Sequence, residues 1–443
     1  MPAGGDGTSQ ETAVTTQSSI SHGDAIMMTE AARPTVRYQW MLAGLLSLNF
    51  GVVFFDRNAL SFLMPFIKPE LQLSNTEVGA FTSALSLSWA LSCLLVGRVS
   101  DALGKRKLIL VMCTLCFSCT SFLSGLAGSF FALLAARLLM GVAEGGVMPI
   151  SQALIVQEVD PLRRGLAMGV MQNFGSNLLG NFFAPLILVA VSLSFGWRNA
   201  FFLAGLPGLV MAGLLILLVK DPPSAPSNGR KTRKTGALLE MLSDRNVLLC
   251  MMMSVFLVGF IMVFGAFMPL VLLSDQTIDQ TTMSWLMATF GLASMLYSVL
   301  VPGGSDVAGR KPVIVAMAAL GALLPLGVLF ADGTLWHLFV LFALGAVITG
   351  VFPIVMATVP SESVSPLHLA TVLGLAMGVG EFIGGVFTPM IAGAAADSFG
   401  LTAALWILVA LSLLVASCGL FLRETAPAVL ARRVGDHKKL SID

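Results

Sequence analysis

Residues 97–107 read GRVSDALGKRK, and residues 302–311 read PGGSDVAGRK. In each stretch an acid, Asp101 or Asp306, stands three residues before a glycine, and basic residues follow that glycine at once. A glycine turn leading into Lys and Arg suits a short loop between two apolar helices at a lipid surface. Such a loop acts as a positive-inside anchor or, given the repeated acid, as a latch on one face of a helical bundle. Working outward, apolar runs of about 20 residues or more flank both loops. They fall near 38–67, 75–97, 108–127, 129–157, 165–194 and 197–219, then near 246–273, 282–302, 312–331, 334–359, 368–396 and 401–422. The expectation is an all-α membrane protein with twelve transmembrane helices.

Composition agrees. The 443 residues are 56% hydrophobic and 11% charged, with a mean hydropathy of +0.89. Soluble domains carry about 25% charged residues. The net charge of +1 gives no sign of a nucleic-acid partner. No phosphate-binding GxxxxGK loop occurs, so ATP-driven chemistry is disfavoured and no cofactor is expected. The six cysteines all lie inside apolar runs, which argues against a disulfide framework, and no metal site is expected. Residues 1–37 and 425–443 read as polar cytoplasmic tails, the first of them disordered. Residues 220–245, with Pro222, Pro223, Pro226 and the cluster Arg230, Lys231, Arg233 and Lys234, read as a cytoplasmic linker.

Lys and Arg orient the chain. With the N-terminus inside, 21 of the 25 basic residues fall on the inner side. Lys68 and Arg198 fall outside, and Arg57 and Arg137 lie at membrane depth. Both termini are therefore expected in the cytoplasm, with the chain in the cell (inner) membrane. The segments 38–219 and 246–424 look like repeats. Gly141, Gly146 and Pro149 match Gly345, Gly350 and Pro353 at an offset of 204 residues. The same offset pairs Gly180 with Gly384, Pro185 with Pro389, and Phe195-Gly196 with Phe399-Gly400. Two six-helix bundles facing a central cavity follow.

Charge inside the apolar runs points to function, because an uncompensated charge at bilayer depth costs several kcal/mol. The first run contains Asp56-Arg57-Asn58-Ala59-Leu60-Ser61. Neighbours on a helix point about 100° apart, so Asp56 and Arg57 cannot pair with each other. Arg57 cannot shed its proton and needs an anion, whereas Asp56 can take a proton. The fourth run places Arg137 and Glu144 two turns apart on one face, about 10 Å along the axis. A buried scaffold of ion pairs is the alternative. Against it, the equivalent positions in the second half are Leu341 and Ile348. In the fifth run, Gln172, Asn173, Ser176 and Asn177 serve either a substrate's hydroxyls or interhelical bonding. Glu381, in GVGEFIGG, is a further proton site, a selector of a positive or hydroxyl-rich substrate end, or a neutral structural acid. Phe54, Phe55, Trp89, Trp285 and Tyr297 are candidate cavity aromatics.

The duplicated loop in its place among twelve helices resembles the signature of the major facilitator superfamily. That resemblance implies the major facilitator fold, with Asp101, Arg106, Asp306 and Arg310 holding one access state closed. DRxxLS in the first helix and Arg-x6-Glu in the fourth resemble the anion:cation symporters of that superfamily. This implies that Arg57 binds the anion, that Asp56 and Glu144 carry protons, and that Arg137 tunes Glu144. That family commonly has a small or amide residue where Glu381 stands. The expected function is proton-coupled symport of a small organic anion, such as a sugar acid, by alternating access in a monomer and with no enzymatic activity. The partners are the anion, the proton and the bilayer. The alternative is a proton-driven efflux antiporter for apolar or cationic compounds, which the acids would serve and Arg57 would not.

Overall fold

The computed structural model describes residues 35–160, 163–220, 244–274, 277–330, 335–364 and 369–431. Most of the expected tails and linker, at 1–34, 221–243 and 432–443, lies outside the described residues. The N-terminal half holds α1 (Val36–Leu71), α2 (Asn75–Leu103), α3 (Arg106–Gly125), α4 (Phe130–Glu158), α5 (Leu166–Phe195) and α6 (Trp197–Leu218). The C-terminal half holds α7 (Arg245–Leu272), α8 (Gln280–Ala308), α9 (Arg310–Leu329), α10 (Leu335–Ser363), α11 (Val372–Phe399) and α12 (Thr402–Leu420). All but α2 are long and apolar enough by composition to cross a membrane, and α2 is itself a 29-residue helix between two of them. Leu91, Leu139, Val210, Leu217, Val299 and Ile391 stand exposed on the outer surface. This is the pattern of helices solvated by lipid. The chain is an all-α, multi-pass membrane protein.

Local chemistry sets the helix ends. Ser74 and Glu77 form a reciprocal capping box at the start of α2, while Ser129, Asp244 and Asp279 cap α4, α7 and α8. Glycines of positive φ end helices at Gly104 (φ 64°) and Gly309 (φ 105°), and again at Gly196 and Gly400 (both φ 84°). Both pairs sit at matching places in the halves, and Gly196 and Gly400 also share their backbone conformation (ψ 157° and 166°), so there the duplication seen in the sequence is a duplication of backbone geometry. Departures from α-helix match as well. A π-helical stretch begins at Ser176 in α5 and another at Gly380 in α11, 204 residues apart. The breaks in α4 at Gly145–Gly146 and in α10 over Ala346–Gly350 also correspond.

The halves meet chiefly where α1 packs on α7, α2 on α11, and α5 on α8. The last two are exchanged by the repeat. Contact between α2 and α11 is backbone-close. A side chain on Gly79 would collide with the Pro389 carbonyl, and one on Gly393 would come within 2.5 Å of the Asn75 carbonyl. At the face opposite the chain ends, Asp397 of α11 accepts from the Asn75 and Thr76 amides (2.8 Å each) and from Thr76 Oγ1 (2.6 Å). An acid of one half thus caps a helix of the other.

Candidate functional site

Asp56 lies midway along α1 and is fully buried. Ser121 Oγ of α3 lies 2.7 Å from its Oδ1 and 2.9 Å from the Phe201 carbonyl, so one hydroxyl proton stands between two acceptors. The other Asp56 oxygen has no hydrogen-bond partner among the described residues. Arg137, also fully buried, donates to Ser124 Oγ (2.8 Å) and Met140 Sδ (3.1 Å), and its guanidinium lies over Phe201 at 5.1 Å. No ion pair within 4.0 Å joins Asp56 to Arg137 among the described residues, although each lies within electrostatic reach of the other. The scaffold alternative of a closed Asp56–Arg137 pair is therefore not what this structure contains.

Glu144 ends the first segment of α4, just before the Gly145–Gly146 break. It is 1% exposed, and neither carboxylate oxygen accepts a hydrogen bond from the described residues. Its nearest cation is Arg57, with Nη1 4.0 Å from Oε2, too long for a hydrogen bond. Arg57 is 10% exposed at its side chain. Phe54 and Trp89 flank its guanidinium at 5.8 and 5.7 Å, and Nη2 is buried without a partner. Of the aromatic candidates these two reach the site. Trp285 stands half exposed on the outer surface and does not, and Phe55 packs in the core.

The α5 polar residues are largely engaged within their own half. Ser176 and Asn177 donate to the backbone carbonyls of Gln172 (2.6 Å) and Asn173 (3.0 Å), and Asn173 to that of Gly169 (3.4 Å). Asn181 bonds to Asn177 and to Asn58 of α1, at 2.9 Å in each case. Gln172 is half-buried. Glu381 of α11 is 9% exposed with Oε2 unpartnered, and Arg57 is the cation that acts on it across the interface between the halves. Two groups escaped the sequence reading. Asn49 of α1 is buried with a free amide donor, and Ser121 holds Asp56; neither carries a charge to mark it.

The loop residues form a separate cluster at the face carrying the chain ends. Arg310 contacts Asp306 (2.5 Å), Glu362 (2.9 Å) and Ser305 Oγ (2.6 Å). Glu424 accepts from the Arg310 and Lys311 amides at 2.7 and 3.2 Å. Glu362 and Glu424 were missed, although Glu158 and Glu362 obey the repeat offset and would have pointed there. In the first half Arg106 is half-buried, and the Asp101 side chain lies outside the described residues.

A family model described as "Major Facilitator Superfamily" matches residues 46–271 and 255–441. The chain belongs to that superfamily of membrane transporters. One relative is the probable sulfoacetate transporter SauU of Cupriavidus necator, 29% identical over 43% of this chain and 44% of that one. Another is the hexuronate transporter of Bacillus subtilis, 33% identical over 39% and 40%. The chain thus aligns with less than half the length of each. Among solved structures, a bacterial homologue of the human lysosomal transporter Spinster, inward-facing and unoccupied, matches with a TM-score of 0.71. It covers 88% of this chain and 95% of its own at 19% identity, which supports the fold alone.

Proposed function

We propose that this transporter is a proton-coupled symporter of a small organic anion. A single observation carries the proposal. The Arg57 guanidinium keeps a buried N–H without a partner and faces a Glu144 carboxylate that no hydrogen bond satisfies. A buried cation in that condition is costly unless an anion serves it. Glu144 competes with such an anion for Arg57 while it is ionised and ceases to compete once it takes a proton. Proton and substrate therefore favour each other's binding, which is the linkage that symport requires. Asp56 is the second proton carrier. With a proton of its own it donates to Ser121, whose hydroxyl is then free for the Phe201 carbonyl. Arg137 sets the field in which both acids exchange protons.

Loaded, the halves rock about the α2–α11 and α5–α8 contacts, and the Arg310 cluster holds one access state closed together with Asp101 and Arg106. Gln172, Asn173, Ser176 and Asn177 flank the substrate path. The positive-inside bias puts both termini in the cytoplasm of a cell whose inner membrane holds the protein as a monomer. Relatives named for sulfoacetate and hexuronate support an organic anion as cargo. The test is uptake of labelled hexuronate and sulfoacetate into vesicles under an imposed proton gradient. Accumulation of one of them, abolished by a protonophore and by Arg57→Ala, is expected. Undiminished accumulation by Arg57→Ala contradicts the assignment. The three buried acids alone would suit drug efflux, and resistance without anion uptake in the same cells would favour that reading.

A further inference from the structure

Glu381 stands outside the Arg57–Glu144 arrangement. With it, the apolar interior holds, among the described residues and apart from the Arg310 cluster at the loop face, three acids (Asp56, Glu144, Glu381) against two cations (Arg57, Arg137). The repeat offers a direct comparison, because the position 204 residues earlier is Asn177. Both residues stand second in matching π-helical stretches, a form of helix often found at functional sites. Asn177 is satisfied inside its own half, donating to the Asn173 carbonyl and accepting from Asn181. Glu381 is not, since its Oε2 is buried with no donor. A carboxylate can only accept, and a buried acceptor with no donor carries a desolvation cost that packing does not return.

This oxygen lies at the seam between the halves. A side chain at Gly385 would press on Ser86 Oγ of α2 (3.0 Å) and on Glu381 Oε2 (3.2 Å), so only glycine lets α2 pack this close to the Glu381 carboxylate. Cys93, two turns along α2 from Ser86, also lies within electrostatic reach of Glu381. Glu381 thus looks across the interface between the halves, within electrostatic reach of Arg57.

We propose that Glu381 forms the wall of the substrate site opposite Arg57 and selects carboxylates whose far end carries hydrogen-bond donors, whether hydroxyl or ammonium. The proposal rests on Arg57 being the dock for the anion. A substrate that spans the two halves in this way satisfies both orphaned groups at once, and a donor-free acid leaves Glu381 unserved. Sites built around a buried polar group reject ligands that lack the matching partner far more strongly than apolar pockets discriminate by size.

The test is calorimetric titration of the purified full-length protein with benzoate, gallate and para-aminomethylbenzoate. Gallate probes hydroxyl donors and the aminomethyl acid probes an ammonium. At least one of them is expected to bind about tenfold or more tighter than benzoate. Glu381→Leu should bring that ratio close to one. The isosteric Glu381→Gln, which keeps one acceptor, should erase an ammonium preference and retain part of a hydroxyl preference. Benzoate binding as tightly as both others, or a preference that survives Glu381→Leu, overturns the proposal. Arg57→Ala should weaken all three acids alike. If it leaves benzoate binding intact while the Glu381 ratio behaves as expected, the dock is misassigned and the selecting wall stands. Binding of none of the three acids by the wild-type protein refutes both.

Discussion

Arg57 and Glu144 are 4.0 Å apart and not hydrogen-bonded, and that near miss gives the site its logic. A closed, bidentate pair would be a structural rivet. An open one leaves the arginine to be claimed by whichever anion offers better geometry. Rising pH takes the proton from Glu144 and strengthens the internal competitor, so anion affinity should fall as pH rises. Glu144→Gln imitates the protonated acid permanently. This variant is expected to bind the anion with a weaker dependence on pH, Asp56 alone remaining to titrate, and to carry out exchange of anion for anion, while losing accumulation against a gradient. Counterflow and uptake measured side by side check this, and normal proton-driven accumulation by Glu144→Gln would remove Glu144 from the coupling scheme. The four charges in α1 and α4 were legible in the sequence because charge in an apolar run is conspicuous. Their partners were not. Ser121 and Ser124 are ordinary small polar residues until packing places them beside a charge.

At the scale of helices, α2 and α11 approach so closely that backbone meets backbone, and the contact ends in Asp397 capping α2. An acid at a helix N-terminus contributes about 1 kcal/mol, both by satisfying amide donors and by meeting the helix dipole. Here that free energy is available only while the halves are closed at this face. Asp397→Ala should shift the balance toward opening there by roughly fivefold. On a cysteine-free background, Ser83→Cys, buried on α2, should then react several times faster with a maleimide. An unchanged rate would mean that the cap plays no part in closure. No sequence feature announced this cap, since an exposed Asp near a helix end has many uses and its partner lies 321 residues away. The π-helical stretches were equally hidden, because a shift to wider hydrogen bonding leaves no compositional mark. The twelve apolar runs, by contrast, were plain. Hydrocarbon sets their length, and the glycine turns at 104, 196, 309 and 400 set their ends.

For the molecule as a whole, duplication supplies a frame and divergence supplies the chemistry. Helix ends, glycine turns and π segments recur in both halves, whereas Asp56, Arg57, Arg137 and Glu144 occur in the first half and Glu381 in the second. The repeat made the fold readable from matched glycines and prolines. It could not reveal that Arg57 and Glu381 lie within electrostatic reach of each other, because that proximity crosses between halves and depends on how they dock. The central claim is that an anion reaches Arg57 together with a proton. The most direct measurement is the pH change when saturating substrate, identified by the uptake and titration experiments, is mixed with the purified protein in weakly buffered solution. The account predicts net proton uptake from solution on binding, and less of it in Glu144→Gln. Tight anion binding by the wild-type protein with no proton taken up, or with protons released, would contradict it.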